Sequence, residues 1–348
     1  MRYTLFGQHT GLRVSTLVLG TGMFGTKWGH GADPTESRRM FDGYLEAGGN
    51  FLDTADTYQF GESESLLGEF VHATREDLIL ASKYSLSASP HGSLAETGNN
   101  RKAMVRSLEA SLKRLHTDRL DLYWVHVPDG MTPIDDIMRG FDDLVRAGKI
   151  LYAGLSDFPA WRVARAATLA EWRGWVPLAG VQLEYSLVER TPERELLPMA
   201  AAFGLGTVAW SPLGGGVLTG KYRKGEMGRQ RGMGGRLFHP EDTPQQTAIL
   251  DTLEGIATET GATPGQLAIA WVAAKGALPI IGPRTRAQLE DNLGALNVQL
   301  SDEHLRRLDA VSAVALGFPH DFVGEPGTRQ RLTGGTLDRL ALPARPVV

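Results

Sequence analysis

The hydrophobic pattern changes period after the first turn of the chain. Over residues 2–16, apolar Tyr3, Leu5, Leu12 and Val14 alternate with polar positions around Gly7-Gln8-His9-Thr10-Gly11, which predicts a β-hairpin. From residue 17 onward, short and almost continuously apolar runs are separated by stretches with the 3.6-residue spacing of amphipathic helices. The runs predict strands at 17–20, 51–54, 78–83, 120–126, 151–156, 180–185, 207–211 and 279–282. The helices predicted between them cover 35–47, 63–71, 100–115, 133–147, 161–172, 193–203, 245–260 with 264–275, and 286–296. Several open on a cap or an early proline (Asp33-Pro34, Thr132-Pro133, Thr191-Pro192, Thr263-Pro264) and end near a glycine (Gly48, Gly148, Gly204, Gly276).

Strands that are apolar on both faces imply a parallel sheet covered by helices. Eight strand–helix units in this length predict a closed (β/α)8 TIM barrel. An open doubly wound sheet is the rival fold. Its glycine fingerprint is only approached by Gly20-Thr21-Gly22-Met23-Phe24-Gly25, which runs on into Trp28, Gly29 and Gly31 before any helix. Outside the repeat, residues 214–244 are glycine-rich and basic, long enough for a lid or ligand clamp. Residues 301–312 open with Ser-Asp-Glu and predict an extra capped helix. The expected organisation is one barrel domain over 1–316, hairpin included, and a Gly-, Pro- and Arg-rich tail over 317–348 that wraps the surface or is partly mobile.

Composition narrows the function. A formal charge of −4 and scattered basic residues, apart from an excess between Lys221 and Arg236, offer no footprint for nucleic acid or anionic membranes. Zero cysteines exclude disulfides, thiolate zinc sites and a cysteine nucleophile, and no metal site is expected. The N-terminus lacks the apolar core of a signal peptide and no apolar run is long enough to span a bilayer, so a cytoplasmic protein is expected.

In a TIM barrel the carboxyl ends of all strands share the face that carries chemistry. The polar residues at those ends are Asp53, Lys83, His126, Ser156 with Asp157, Gln182, Trp210 with Ser211, and Arg284 just past the last strand. Tyr58 follows on a loop over the same face. A carboxylate set against an apolar strand needs a partner, and Lys83 is the candidate for Asp53. Reduction of a carbonyl suits the set, because the oxygen gains negative charge and must take a proton. A phenol beside an ammonium is strengthened as the acid, Asp53 would hold Lys83, and His126 could hydrogen-bond and orient the substrate oxygen.

The same segments resemble the aldo-keto reductase superfamily from the first hairpin to the helix at Ser301. The resemblance is carried by Phe-Leu-Asp-Thr-Ala-Asp-Thr-Tyr (51–58), Ala-Ser-Lys (81–83), Leu-Asp-Leu-Tyr-Trp-Val-His (120–126) and Gly-Leu-Ser-Asp-Phe (154–158). It continues in Val-Gln-Leu-Glu-Tyr-Ser (181–186), Ala-Trp-Ser-Pro-Leu-Gly-Gly-Gly (209–216) and Ile-Gly-Pro-Arg-Thr-Arg-Ala-Gln-Leu-Glu-Asp-Asn-Leu (281–293). It implies a catalytic tetrad of Asp53, Tyr58, Lys83 and His126, with Tyr58 as general acid or base, and NADPH as cofactor. By the same resemblance, Asp53 borders the cofactor, Ser156, Asp157 and Gln182 grip the nicotinamide carboxamide, and Trp210 stacks on its ring. The turn of Ser211, Pro212, Leu213 and Gly215, with Lys221 from the lid, takes the pyrophosphate. Gly282, Arg284, Gln288, Asp291 and Asn292 take the adenosine end, where Arg284 could pair with a 2′-phosphate; NADH use is possible as well. Asp157 departs from the asparagine of many relatives, and an ionised carboxylate cannot donate to a carboxamide oxygen.

The expected substrate is a small-molecule aldehyde or ketone, bound among Phe24, Trp28, Tyr58, Trp124 and His126 with the Asp129-Gly130 loop; Trp161, Trp172 and Trp175 are expected to pack helices. Two other readings compete. A barrel aldolase would use Lys83 as a Schiff-base amine, and a cofactor-sensing partner subunit would keep the site for binding alone. Monomer and homo-oligomer both remain open.

Overall fold

The computed structural model describes residues 1–226 and 238–342. Strands β1 (Tyr3–Leu5) and β2 (Arg13–Ser15) pair antiparallel as the expected hairpin, with Tyr3 opposite Ser15. The barrel is built from β3 (Val18–Gly20), β4 (Phe51–Asp53), β5 (Ile79–Tyr84), β6 (Leu120–Val125), β7 (Ile150–Ser156), β8 (Leu178–Glu184), β9 (Gly206–Trp210) and β10 (Leu278–Ile281). These run parallel in sequence order, and β10 closes the ring against β3 through Ile280 and Val18. The fold is therefore a (β/α)8 TIM barrel, with every predicted strand within two residues of its observed limits.

Helices α1 (Pro34–Glu46), α2 (Glu62–Val71), α3 (Arg101–Arg114), α4 (Ile134–Arg146) and α5 (Ala160–Arg173) cover the first half. They are followed by α6 (Leu196–Ala202), α7 (Pro244–Thr260), α8 (Pro264–Ala274) and α9 (Arg286–Gly294). Of the expected caps, those at Asp33 and Thr263 form, whereas Pro133 takes the N-cap position of α4 and Thr191 lies inside a 3₁₀ turn, neither with a side-chain cap bond. Asp33 accepts from the Glu36 amide at 2.9 Å, Thr243 and Thr263 form capping boxes, and Gly48, Gly148, Gly204 and Gly276 adopt left-handed backbone past their helices. α6 is shorter than the predicted 193–203, because its first turn is a separate 3₁₀ turn at Thr191–Glu193. Ser301 caps α10 (Asp302–Val311). The tail forms two short helices, α11 (His320–Gly324) and α12 (Pro326–Leu332), in a largely exposed segment. Of the expected lid, 227–237 lies outside the described residues. Among the described residues no helix is long and apolar enough to cross a membrane.

Two cores result. Outward residues such as Tyr123 and Val125 of β6 pack under the helices, while Leu122 and Trp124 of the same strand point into the barrel beside Phe6, Phe51, Val208 and Ile280. Phe6, from the hairpin, plugs the barrel floor: a Cβ on Gly180 or Gly206 would come within 2.5 or 2.6 Å of its ring. With the floor filled, the cavity opens only at the carboxyl ends of the strands. The expectation that all three tryptophans pack helices is corrected. Trp175 lies against Arg139, but Trp161 and Trp172 are 69% and 80% exposed on α5.

Candidate active site

Strand register brings the central group together. Asp53 pairs with Ala81, so Lys83, two residues further along β5, points to the same interior face. Lys83 is fully buried, and its ammonium donates to the Asp53 carboxylate, to Thr54 O at 2.9 Å and to the Tyr58 hydroxyl at 3.1 Å. The second Asp53 oxygen accepts from Gln182 Nε2 at 2.9 Å, across the barrel. Burial alone would lower the Lys83 pKa; the Asp53 carboxylate and Tyr58 outweigh it and hold the pKa above its ordinary value.

Tyr58 opens a 3₁₀ turn, Tyr58–Gly61, in which Gln59 and Phe60 have φ of 50° and 53°. Gly22 lies beneath its ring, where a Cβ would sit 3.6 Å from the nearest ring atoms. His126 follows β6, its amide bonded to Tyr84 O at 2.8 Å, and its ring meets Tyr58 edge-on with centroids 5.7 Å apart at 82°. Burial first, then the Lys83 ammonium, push the His126 pKa down to about 3, so the imidazole is neutral at physiological pH. His126 Nδ1 is buried without a hydrogen-bond partner among the described residues.

The neighbouring strand ends form a second group. Ser156 stands beside Gln182 in the β7–β8 register, and Glu184 beside Trp210 in the β8–β9 register. Asp157, in left-handed backbone with φ 57°, accepts the Trp210 indole N–H at 3.0 Å. Burial raises its carboxyl to about 6, although the Trp210 and Ser156 bonds pull the other way. After β9, Ser211, Gly214, Gly215 and Gly216 all have positive φ. Ser211 Oγ accepts the Gly215 amide at 2.9 Å, so a tight turn presents backbone where side chains would block it: a Cβ on Gly216 would come 2.8 Å from Lys221 Nζ. Burial, then Arg284, lower the Lys221 pKa, a proximity of like charges that an anion would relieve. Arg284 N–H donates to Gln288 Oε1 at 2.9 Å, and Asp291 accepts from Thr263 and Gln266 at the start of α8.

One continuous cavity of about 690 Å³ joins these groups. It is lined by Asp53, Tyr58, His126 and Trp28 at one end, Ser156, Asp157, Gln182 and Trp210 in the middle, and Ser211, Pro212, Leu213, Gly215, Lys221, Gly282, Arg284, Gln288, Asp291 and Asn292 at the other. Lys83 lies just beneath. Two expected aromatic residues and the Asp129-Gly130 loop do not reach it. Phe24 is fully buried and packs on Phe70 of α2 with centroids 6.3 Å apart; Trp124 is fully buried in the barrel interior against Phe6. Met23 and Val127 line the cavity in their stead, each one residue from a polar or aromatic neighbour that drew the sequence reading. Phe238 lies behind this group without lining the cavity, its ring centroid 5.9 Å from Trp210.

The sequence profile of the Aldo/keto reductase family matches residues 16–313. The chain is 39% identical over 322 residues to an uncharacterized oxidoreductase of Bacillus subtilis, covering 89% of this chain and 96% of that protein. It is 34% identical to norsolorinic acid reductase of Aspergillus flavus, over 96% of this chain and 88% of that protein. To the aryl-alcohol dehydrogenase [NADP(+)] of Phanerodontia chrysosporium it is 34% identical, over 90% of this chain and 87% of that protein. The family match runs from the strand that opens the barrel to the last capped helix, and the chain accordingly belongs to the aldo/keto reductase family and is an oxidoreductase of small-molecule carbonyl chemistry.

Proposed function

We propose that the protein is an NADPH-dependent reductase of aldehydes and ketones, reversible toward alcohol oxidation, with Tyr58 as the proton donor. The observation that carries this is the buried Lys83 ammonium 3.1 Å from the Tyr58 hydroxyl and bonded to Asp53, at the mouth of the cavity.

The cavity fits the cofactor. Gln182 gives its N–H to Asp53, which leaves its carbonyl oxygen for a carboxamide NH₂, with the Ser156 hydroxyl alongside. Trp210, held by Asp157, offers a fixed indole plane for the nicotinamide. The glycine turn with Lys221 would hold the pyrophosphate, and Arg284 the 2′-phosphate, which favours NADPH over NADH. Bound there, the dinucleotide supplies the hydride.

The side chains then manage the proton. Tyr58 hands its hydroxyl proton to the carbonyl oxygen, and the Lys83 ammonium stabilises the phenolate that remains. Asp53 keeps Lys83 charged and in place. His126 is neutral, and a proton on Nε2 spares the buried Nδ1 from carrying an unpaired N–H; Nε2–H can therefore donate to the substrate oxygen and orient it. The aromatic rings of Trp28 and Tyr58 suit carbonyls with flat apolar bulk, in keeping with the aryl alcohol named for one relative. The aldolase reading is disfavoured by Lys83 itself, since a raised pKa leaves little free amine to form an imine.

Substitution Tyr58→Phe tests the assignment. Turnover should fall by at least ~100-fold, while NADPH still quenches tryptophan fluorescence with unchanged affinity. Turnover near the native level would remove Tyr58 as the acid.

A further inference from the structure

The loop after β3, residues 21–33, carries Trp28 to the cavity with little regular structure of its own. Its base is closed by the Gly25 amide on Ala32 O at 2.8 Å and the Ala32 amide on Met23 O at 2.7 Å. Its tip is held from outside by the turn that carries Tyr58. The fully buried Gln59 side-chain amide accepts the backbone N–H of Trp28 at 2.8 Å and donates to His30 O at 3.0 Å and Gly22 O at 3.3 Å. One side chain thus ties both flanks and the middle of the loop to the residue next to Tyr58. The fit is close, for a Cβ on Gly31 would approach Gln59 Nε2 to 3.0 Å. Gln59 adopts left-handed backbone, φ 50°, which an L-residue holds only when its surroundings impose it. It does not line the cavity, whereas Trp28 does, with its ring 6.1 Å from Tyr58 at 82° and 6.4 Å from Phe60.

We propose that Gln59 is a positioning residue for substrate selection: it fixes Trp28 as the wall against which a flat aryl carbonyl lies beside Tyr58. The proposal rests on the reductase reading and goes beyond it by tying aryl preference to a residue outside the pocket. A short aliphatic carbonyl does not need that wall, so loss of Gln59 separates the two substrate types. Glu62, which accepts the Thr26 and Lys27 amides at 2.8 and 3.0 Å, anchors the outer side of the same loop, so the loop stays attached when Gln59 is replaced.

The test is steady-state reduction of benzaldehyde and of propanal with NADPH, alongside NADPH binding by fluorescence. In Gln59→Leu the KM for benzaldehyde should rise about tenfold, the size expected when the bonds orienting one wall are lost. The propanal kcat and the NADPH affinity should stay within about twofold of native, a split that general loosening would not produce. Should the leucine variant not fold, Gln59→Asn serves: it tolerates the left-handed backbone but is a methylene too short for the Trp28 N–H, and should give the same rise. Gln59→Glu keeps an acceptor for that N–H but sets a carboxylate, which cannot donate, against His30 O and Gly22 O, so it should raise the benzaldehyde KM as the leucine variant does. In a Trp28→Ala background, Gln59→Leu should add nothing, because the two act as one unit. An unchanged benzaldehyde KM, equal losses on both aldehydes and NADPH, or additive losses in the Trp28→Ala background would each overturn the proposal. If the native enzyme turns over neither aldehyde, the reductase reading fails and takes this inference with it; native turnover with silent Gln59 variants sinks the inference alone.

Discussion

Replacing Asp157 with asparagine should stabilise the protein at neutral pH. The carboxyl is largely enclosed, and its pKa is raised from 3.8 to about 6, chiefly by burial and further by Glu184, despite the bonds from Trp210 and Ser156. An acid whose pKa is higher in the folded state binds its proton more readily there than in the unfolded chain. Stability therefore falls as pH rises between the two values, and the full cost is present above about 6. A difference of about two pH units at ~1.4 kcal/mol each amounts to ~3 kcal/mol. Asparagine keeps the acceptor that holds the Trp210 indole at 3.0 Å, removes the charge, and accepts the left-handed backbone at φ 57°. Urea unfolding followed by tryptophan fluorescence should show Asp157→Asn more stable by up to ~3 kcal/mol at pH 7.5, with the gain vanishing as pH drops toward ~4. No gain at pH 7.5 would refute the burial account, and a gain independent of pH would assign it to the backbone. The same substitution supplies an NH₂ that can donate to a carboxamide oxygen, so NADPH should bind more tightly to the variant at pH 7.5.

Three further outcomes follow from the geometry. Lys83→Met leaves Asp53 buried with Gln182 as its remaining side-chain partner, so the fold should lose ~3–5 kcal/mol and turnover should collapse; an unchanged melting temperature would contradict the pairing. Arg284→Ala should weaken NADPH at least ~5-fold more than NADH in fluorescence titrations, and equal losses would mean that the guanidinium does not read the phosphate. Gly154→Ala would set a Cβ 2.2 Å from the Trp124 ring and 3.0 Å from Gly180 O, so thermal melting should report a loss of ~1–3 kcal/mol; a silent variant would show that the barrel interior yields there.

Much of the site was legible because a parallel barrel converts sequence position into spatial position. Residues that end apolar strands must lie on one face, and this places Asp53, Lys83, His126, Ser156, Gln182 and Trp210 together before any coordinate is known. Aromatic residues were harder to assign. Phe24 sits next to a cavity residue in the chain and Trp124 two positions before one, yet they are buried in different cores, since alternation along a strand or loop says nothing about depth along the barrel axis. Trp161 and Trp172 fall on the exposed side of α5, three turns apart, although their apolar character suggested packing.

Local chemistry alone determined the eight-strand repeat and the caps at Asp33 and Thr263, and it put Asp53, Tyr58, Lys83 and His126 on one face, because periodicity, capping and charge pairing act over a few residues or through a topology the repeat implies. Only the closed structure decided that Asp157 holds the Trp210 indole, that Gln182 reaches across to Asp53, and that Gln59 fastens the Trp28 loop. Those bonds join side chains from separate strands and loops, and their existence depends on the stagger with which the barrel closes, a property of the whole ring that no single segment encodes.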